Sequence, residues 1–556
     1  MAGKIKLQKP KNIGEVTDHV GNILAWAVLL IYFTGLPLYY KDGYTLIASN
    51  KYLYLMYTAK YIAIAMGVFL LVRMSFWGYS KDEIACYKAT YKTDICVLSF
   101  ILLSVLSHFC SSFKSGGESY LTDWFIEGSL WGTRGWYMGL VSYLVFAMFY
   151  LILSKLLRHT YFAYIPVILT VTLVSIWGIL NRYKIAPINM NNDYGEGAFI
   201  ASLGNINWFC GYTSVIVPLG WGLYMGAKKL WIKVLLSLVN VITFYMIFVN
   251  NSDSGIFALF VTMAVLLGFS FTQKERLMAF TELIIFMLIP ASLIGLMDVL
   301  FKGKRTGASG IIEFFYGKPA FISLLIVLIF YTVFFYKVKE FPEEIMKKIK
   351  KVYVIFVPSV FSLFVLLIII NTLSGGKLPV IGGKDVFMFK AGWGSGRGET
   401  WLFGLRTFAG MNPWHKLIGS GPDTFYFELI KYPELKADLD LAFGGARLTN
   451  AHNEWISLLV NNGILGLCAF IGMLVSGVKT SFKYAKENLY IIGFALSIIS
   501  YTANNMFSFE QITNTPFLFL VLGLEGAAIA GVLKKGASLT KSGRNTKIQR
   551  SKNKKK

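Results

Sequence analysis

Val352-Tyr-Val-Ile-Phe-Val-Pro-Ser-Val-Phe-Ser-Leu-Phe-Val-Leu-Leu-Ile-Ile-Ile370 has no charged residue. A run of this length is long enough to cross a bilayer as a helix, because about 20 apolar residues at 1.5 Å each span the hydrocarbon. Ile23 to Tyr40 reads the same way, and similar runs recur along all 556 residues, of which 55% are apolar and only 15% charged. With a mean hydropathy of +0.56, this balance excludes an ordinary soluble protein. The fold class it predicts is all-α, a polytopic integral membrane protein.

The apolar runs give about fourteen transmembrane helices, near 20–40, 52–72, 93–111, 136–156, 161–181, 203–224, 230–250, 254–271, 279–300, 319–336, 352–371, 454–477, 488–507 and 514–533. The formal charge of +24 resembles that of nucleic-acid binders. Here, however, Lys and Arg sit in short segments between apolar runs, the pattern of membrane topology. The basic connections, among them Lys228-Lys229 and Lys337 to Lys351, fall on one side. With a basic segment at each end, both termini are expected to be cytoplasmic and the span count even. Lys302, Lys304 and Arg305 resist, since they fall outside; they either attract an anionic substrate or belong to an ordinary solvated loop. The polar N-terminus lacks a cleavable signal pattern. The five cysteines, with no CxxC pair, indicate neither a disulfide framework nor a zinc site.

This divides the chain into a basic cytoplasmic N-terminus (1–19), transmembrane helices one to eleven (20–371), one large extracytoplasmic loop (372–453), three further transmembrane helices (454–533) and a basic tail (534–556). The tail has too few apolar residues to fold and is expected to lie disordered against anionic lipid. The loop is rich in Trp and Phe, which disfavours disorder, so short helices packed over the membrane mouth are expected.

Three motifs mark that loop. In Gly392-Trp-Gly-Ser-Gly-Arg397-Gly-Glu-Thr-Trp401 the glycines are not a P-loop, because no Gly-Lys-Ser/Thr follows. Arg397, Trp401 and Arg406 could instead share a short helix presenting guanidinium groups suited to phosphate oxygens. A second reading stays open, in which Arg397 caps locally or pairs with Glu399 or Asp423. Leu417-Ile-Gly-Ser-Gly-Pro-Asp-Thr-Phe425 is a turn that serves either a close ligand approach or, as the simpler reading has it, a tight bend. Arg447-Leu-Thr-Asn-Ala-His452-Asn453-Glu454-Trp455 places an imidazole at the start of a span. A lone histidine is more often structural, yet this one stands where a base for a lipid-linked substrate would be needed. Asp438-Leu-Asp440 has the spacing of metal-dependent transferases, but such exposed pairs are usually just solvated. Lys60, inside the second span, either lines a route for substrate or snorkels to the interface.

In order and spacing these pieces resemble the signature of the O-antigen ligase and O-antigen polymerase superfamily of bacterial membrane glycosyltransferases: Arg397 to Trp401, Gly419-Ser-Gly421 to Phe425, Ala451-His452-Asn453, then Leu458 and Asn462-Gly463-Ile-Leu-Gly466. Gly204-Asn205-Ile-Asn207 upstream is similar to a further element of that family. The resemblance runs over residues 200 to 475. It departs at Asn251-Ser-Asp-Ser254-Gly255, where the family's usual Arg is Ser254, so that Arg406, Arg447 or the Lys302 to Arg305 cluster would have to substitute.

The resemblance implies transfer of an undecaprenyl-pyrophosphate-linked glycan to a glycan or glycolipid acceptor hydroxyl on the outer face of the bacterial cytoplasmic (inner) membrane. His452 would be the general base, oriented by Glu454 or Asn453. Arg397 would bind pyrophosphate, with Trp401, Arg406, Arg447, Asn205 and Asn207 completing the substrate site. No cofactor and no metal is needed in this scheme, and membrane lipids, not nucleic acid, are the expected surroundings. A flippase for lipid-linked oligosaccharides is the rival. It would place its site near the bilayer midplane, often with repeat symmetry, whereas the distinctive residues here share one loop.

Overall fold

The computed structural model describes residues 13–75, 81–115, 126–191, 197–301, 305, 316–337 and 342–553. The described residues are mostly helical. Among them eleven helices are long and apolar enough to cross a membrane. They are α1 (Ile13–Leu30, prolonged by a π turn to Leu38), α2 (Ile47–Met74), α3 (Lys81–Cys110), α5 (Tyr164–Arg182), α7 (Leu230–Asn250), α8 (Asp253–Ser270), α9 (Lys274–Leu300), α10 (Lys318–Lys337), α11 (Glu343–Leu373), α16 (Glu454–Tyr484) and α18 (Thr515–Asn553). Three further spans expected from the sequence fall on α4 (Leu140–Leu156), α6 (Ile206–Gly226) and α17 (Ile492–Asn504). The first and last are apolar but shorter. In α6 the glycines, Pro218 and Asn207 dilute the apolar character. These three lie inside the bundle, α6 against α17 and α4 against α18. Of the fourteen expected spans, eleven correspond to helices long and apolar enough to cross a membrane among the described residues.

Periphery and centre differ as lipid and protein do. α11 exposes large apolar side chains along nearly its whole length, including Phe356, Phe361, Leu366 and Ile370. Lipid tails are as apolar as these side chains, so the exposure costs nothing in a bilayer. α18 is buried through Ala530. It runs on to Asn553, so residues 534–553 of the tail expected to be disordered are helical here, and they contain no proline to stop the helix.

Charged groups inside the spans sort by partner. Lys60 is exposed on the outside of α2 beside the Tyr61 ring, as snorkelling requires. One turn into the same helix, Lys51 is fully buried, and its ammonium donates to the carbonyls of Leu36, Pro37 and Tyr39 at 2.7–3.1 Å. Those carbonyls end α1 and have no helical partner, so the lysine caps them.

Between α11 and α16 the chain forms α12 (Trp393–Gly410), α13 (Pro413–Ile418), α14 (Phe425–Leu429) and α15 (Pro433–Phe443). Phe403, Phe425, Leu429, Leu439 and Leu448 give them a small core of their own, completed by Val460 of α16. α16 breaks at Gly463 (φ 68°, ψ −177°), a conformation only glycine adopts without strain. The break frees backbone carbonyls, which no bilayer water could satisfy. The Gly419-Ser-Gly turn fills this role: the Ser420 amide donates to Val460 O and the Gly421 amide to Asn461 O, both at 3.0 Å, and Ser107 Oγ adds a bond to Asn461 O at 2.9 Å. At Gly419 (φ +89°) a Cβ would collide with the Asn461 carbonyl. The second motif is thus the tight bend of the simpler reading.

Candidate active site

The turn that precedes α16 carries the third motif. Asn453 is its N-cap, accepting from the Ile456 amide at 3.1 Å, while its own amide group donates to Met506 O at 3.0 Å. His452 sits just outside in the left-handed region (φ 48°), closed by a bond from its amide to Asn450 Oδ1 at 2.9 Å. A non-glycine residue there costs about 1–3 kcal/mol and persists where the surroundings over-determine it. Thr400 Oγ1 bonds Ala451 O at 2.8 Å, which docks α12 against this turn and brings Arg397 to the imidazole.

The residue is exposed to solvent, and its ring meets that of Phe509 at 5.2 Å and nearly at right angles. Crowding by protein atoms lowers its pKa from 6.5 to about 4, and the nearby positive charge of Arg397 lowers it further in the same direction. His452 is therefore neutral at pH 7, the form that accepts a proton.

Arg397 follows a left-handed run, Gly394, Ser395 and Gly396, all with φ between 60° and 86°. Its Nε donates to Phe507 O at 2.9 Å and its Nη1 to Gly394 O at 3.0 Å. Burial lowers its pKa, and the negative charge of Asp253 opposes that. Among the described residues no carboxylate lies within ion-pair distance of it. The pairing with Glu399 or Asp423 left open by the sequence is not formed. Asp423 is instead buried elsewhere, accepting from the amides of Thr133 at 2.6 Å and Met138 at 3.0 Å; burial raises its carboxyl to about 7 against the pull of those amides.

The other cations are occupied. Arg406 pairs with Asp438 at 2.8 Å in a half-exposed contact. Arg447 pairs with the buried Glu127 at 2.9 Å and lies over the rings of Tyr426 and Phe427. Arg305 forms a two-pronged bond with Asp298 at 2.8 and 2.9 Å, and Lys302 and Lys304 lie outside the described residues. Asp440, the second carboxylate of the Asp-Leu-Asp pair, binds Lys436 at 2.9 Å.

Glu454 is fully buried. It accepts from Tyr501 at 2.7 Å and from Asn505, and its amide donates to Asn505 O at 3.0 Å. Both members of the expected pair beside His452 therefore grip residues 505–506. Trp401 stacks on Phe507 at 5.9 Å, with Trp393 and Phe389 completing an aromatic wall. Upstream, Asn205 caps α6 through the Asn207 amide at 2.8 Å, and Asn207 Oδ1 accepts from Ser252, which in turn bonds Ser254 at 3.1 Å. Phe257, on the same helix as Ser254, meets Phe507 edge-on at 5.2 Å.

The element on which these pieces converge is the connection Asn504-Asn-Met-Phe-Ser-Phe-Glu-Gln-Ile-Thr-Asn514, which sequence reasoning passed over. It is nearly all buried despite its polarity. Glu510 accepts from Tyr143 at 2.6 Å, and burial, aided by the charge of Glu454, drives its carboxyl well above the usual range. A polar, Phe-containing connection between two apolar runs was the available signal.

Residues 316–471 match the O-antigen ligase family model, Wzy_C. The match takes in Arg397, Trp401, Arg406, Arg447, His452, Asn453 and Glu454 but not Asn205 or Asn207. No curated protein matches the chain. The matched residues form the loop core and the turn that holds His452, so this part of the chain is similar to the O-antigen ligase family.

Proposed function

We propose that the protein transfers a glycan from undecaprenyl pyrophosphate to an acceptor hydroxyl at the outer face of the inner membrane, with both termini cytoplasmic and residues 372–453 extracytoplasmic. The observation that carries this reading is a solvent-exposed imidazole held neutral at pH 7, with an arginine that has no ion-pair partner among the described residues close enough to act on it electrostatically.

In the reaction the acceptor oxygen attacks the anomeric carbon as its proton passes to the His452 ring. The bond from that carbon to the pyrophosphate oxygen breaks, and the oxygen leaves with the electron pair. Negative charge on the leaving group grows in the transition state, so Arg397 stabilises that state more than the bound donor. The guanidinium would turn from carbonyl acceptors to phosphate oxygens, a stronger charge-assisted contact. The aromatic wall of Trp393, Trp401 and Phe507 suits the faces of sugar rings. Asn453 and Glu454 act as positioning residues, holding the 505–509 segment against the imidazole. Asn207 and Ser254 line the approach beyond Phe507, and Arg406 and Arg447 support the loop core through their ion pairs.

The test is mass spectrometry of the lipid-linked glycan pool in cells carrying wild-type protein, His452→Ala or Arg397→Ala, each checked for membrane insertion. Accumulated single repeat units identify a polymerase, and accumulated full-length chains identify a ligase. A pool unchanged in both variants overturns the proposal.

A further inference from the structure

The end of the bundle remote from His452 holds a cavity of about 480 Å³. α4 starts beside the loop that clamps Asp423 and ends at this cavity. α18 likewise starts at Thr515, in contact with Tyr501, and reaches the cavity with Lys534. Arg158 and His159 come from the connection between α4 and α5, Tyr490 from the turn before α17, and Ala530 and Gly531 from α18. The described lining includes no aspartate or glutamate.

The wall is constructed. The His159 ring stacks on Tyr490 at 5.7 Å and 9°, and its Nε2 is shared by the hydroxyls of Tyr164 at 3.0 Å and Tyr490 at 3.3 Å. The Arg158 amide donates to Asn22 Oδ1 at 2.7 Å, which fixes the connection against α1, and the guanidinium meets Asp18 at 3.3 Å in a partly exposed contact. The lining thus joins two cations, Arg158 and Lys534, to the small apolar residues Ala527, Ala530 and Gly531. That combination suits a molecule with a phosphate at one end and hydrocarbon behind it, since cations near a bilayer surface attract anionic lipid and guanidinium groups grip phosphate.

We propose that this cavity is a binding site for the phosphate-bearing headgroup of an anionic phospholipid, separate from the site at His452. Arg158 and Lys534 hold the phosphate, and His159, packed against Gly531, and Tyr490 form the wall. The site would tie the basic end of the bundle to the leaflet it faces.

The full-length protein in detergent is titrated with phosphatidylglycerol, and bound lipid is counted by native mass spectrometry. The Arg158→Gln/Lys534→Gln variant should lose affinity by about thirtyfold, given the usual contribution of two surface cations. The Lys228→Gln/Lys229→Gln variant, which removes the same charge from exposed positions elsewhere on the same expected side, should bind as wild type does. If the first pair does not fold, Lys534→Gln alone should cost about fivefold. Equal losses in both double variants would mean general surface attraction and overturn the site. Inorganic phosphate should not displace the lipid; displacement at matched concentration would mean a free anion is the ligand and would overturn the lipid assignment. Equal retention of phosphatidylcholine would overturn it as well.

Discussion

The lowered basicity of His452 makes a quantitative prediction about pH. At the ordinary pKa of 6.5 a histidine is about 75% neutral at pH 7 and about 10% neutral at pH 5.5, so a rate that needs the neutral ring falls about eightfold between them. At a pKa of about 4 the ring is still about 97% neutral at pH 5.5, and the same rate falls by only a few per cent. The purified protein in liposomes, supplied with lipid-linked donor and a saturating acceptor, should therefore show kcat/KM nearly flat from pH 7 to 5.5, with the acid limb near pH 4. Part of the lowering comes from Arg397, so Arg397→Gln should move that limb to higher pH while reducing the rate. The donor should act in the same direction: a pyrophosphate on Arg397 cancels its charge and makes the imidazole more basic, so the kcat limb, which reports the bound complex, should lie above the kcat/KM limb. A wild-type kcat/KM limb at pH 6.5, or a limb unmoved by Arg397→Gln, would refute the coupling of the two residues.

Other positions divide into strong and weak. Arg397→Lys keeps the charge but loses the planar fork, and should leave only a small fraction of the activity with melting temperature in detergent little changed. Glu454→Gln places an amide donor against the donors Tyr501 or Asn505 in a buried site; a cost of about 1–3 kcal/mol is expected from one unsatisfied group, read as a lower melting temperature. Arg406→Gln breaks only a half-exposed pair and should cost about 0–1 kcal/mol, with activity retained; loss of donor binding would show that Arg406 reaches substrate. Gly419→Ala forces a Cβ onto the Asn461 carbonyl and should lower both melting temperature and activity, whereas Gly383→Ala, with open space around it, should change neither.

The helices of this fold were legible because hydropathy reports the loss of water from a side chain, and lipid and protein interior remove water alike. For the same reason hydropathy could not separate α11, bare along its length, from the first turns of α18, buried as far as Ala530. It marked Lys60 and not Lys51, which lies just before the expected second span, and only the packing of the preceding turn shows the carbonyls of Leu36, Pro37 and Tyr39 that Lys51 binds. In the loop, residue type and spacing pointed to Arg397 and His452, which the fold does bring together. They could not tell Arg397 from Arg406 or Arg447. Those differ in having a carboxylate partner, and Glu127, the partner of Arg447, lies 320 residues away.

The connection 504–514 escaped the sequence reading for a related reason, and its position explains how the site is held. Asn453 and Glu454 bind Asn505 and Met506, Arg397 bonds Phe507, Trp401 stacks on Phe507, and Phe509 meets His452. Each contact joins the matched domain to a segment beyond its end at residue 471. A strained histidine can be kept in place only if its neighbours have few alternatives, and here they are fixed from two sides. One is the kink at Gly463, whose freed carbonyls are taken by the Gly419 turn; the other is this buried polar connection. The loop is therefore not an independent module set on a membrane anchor: the imidazole and guanidinium owe their proximity to helices that enter the bilayer on both sides of it.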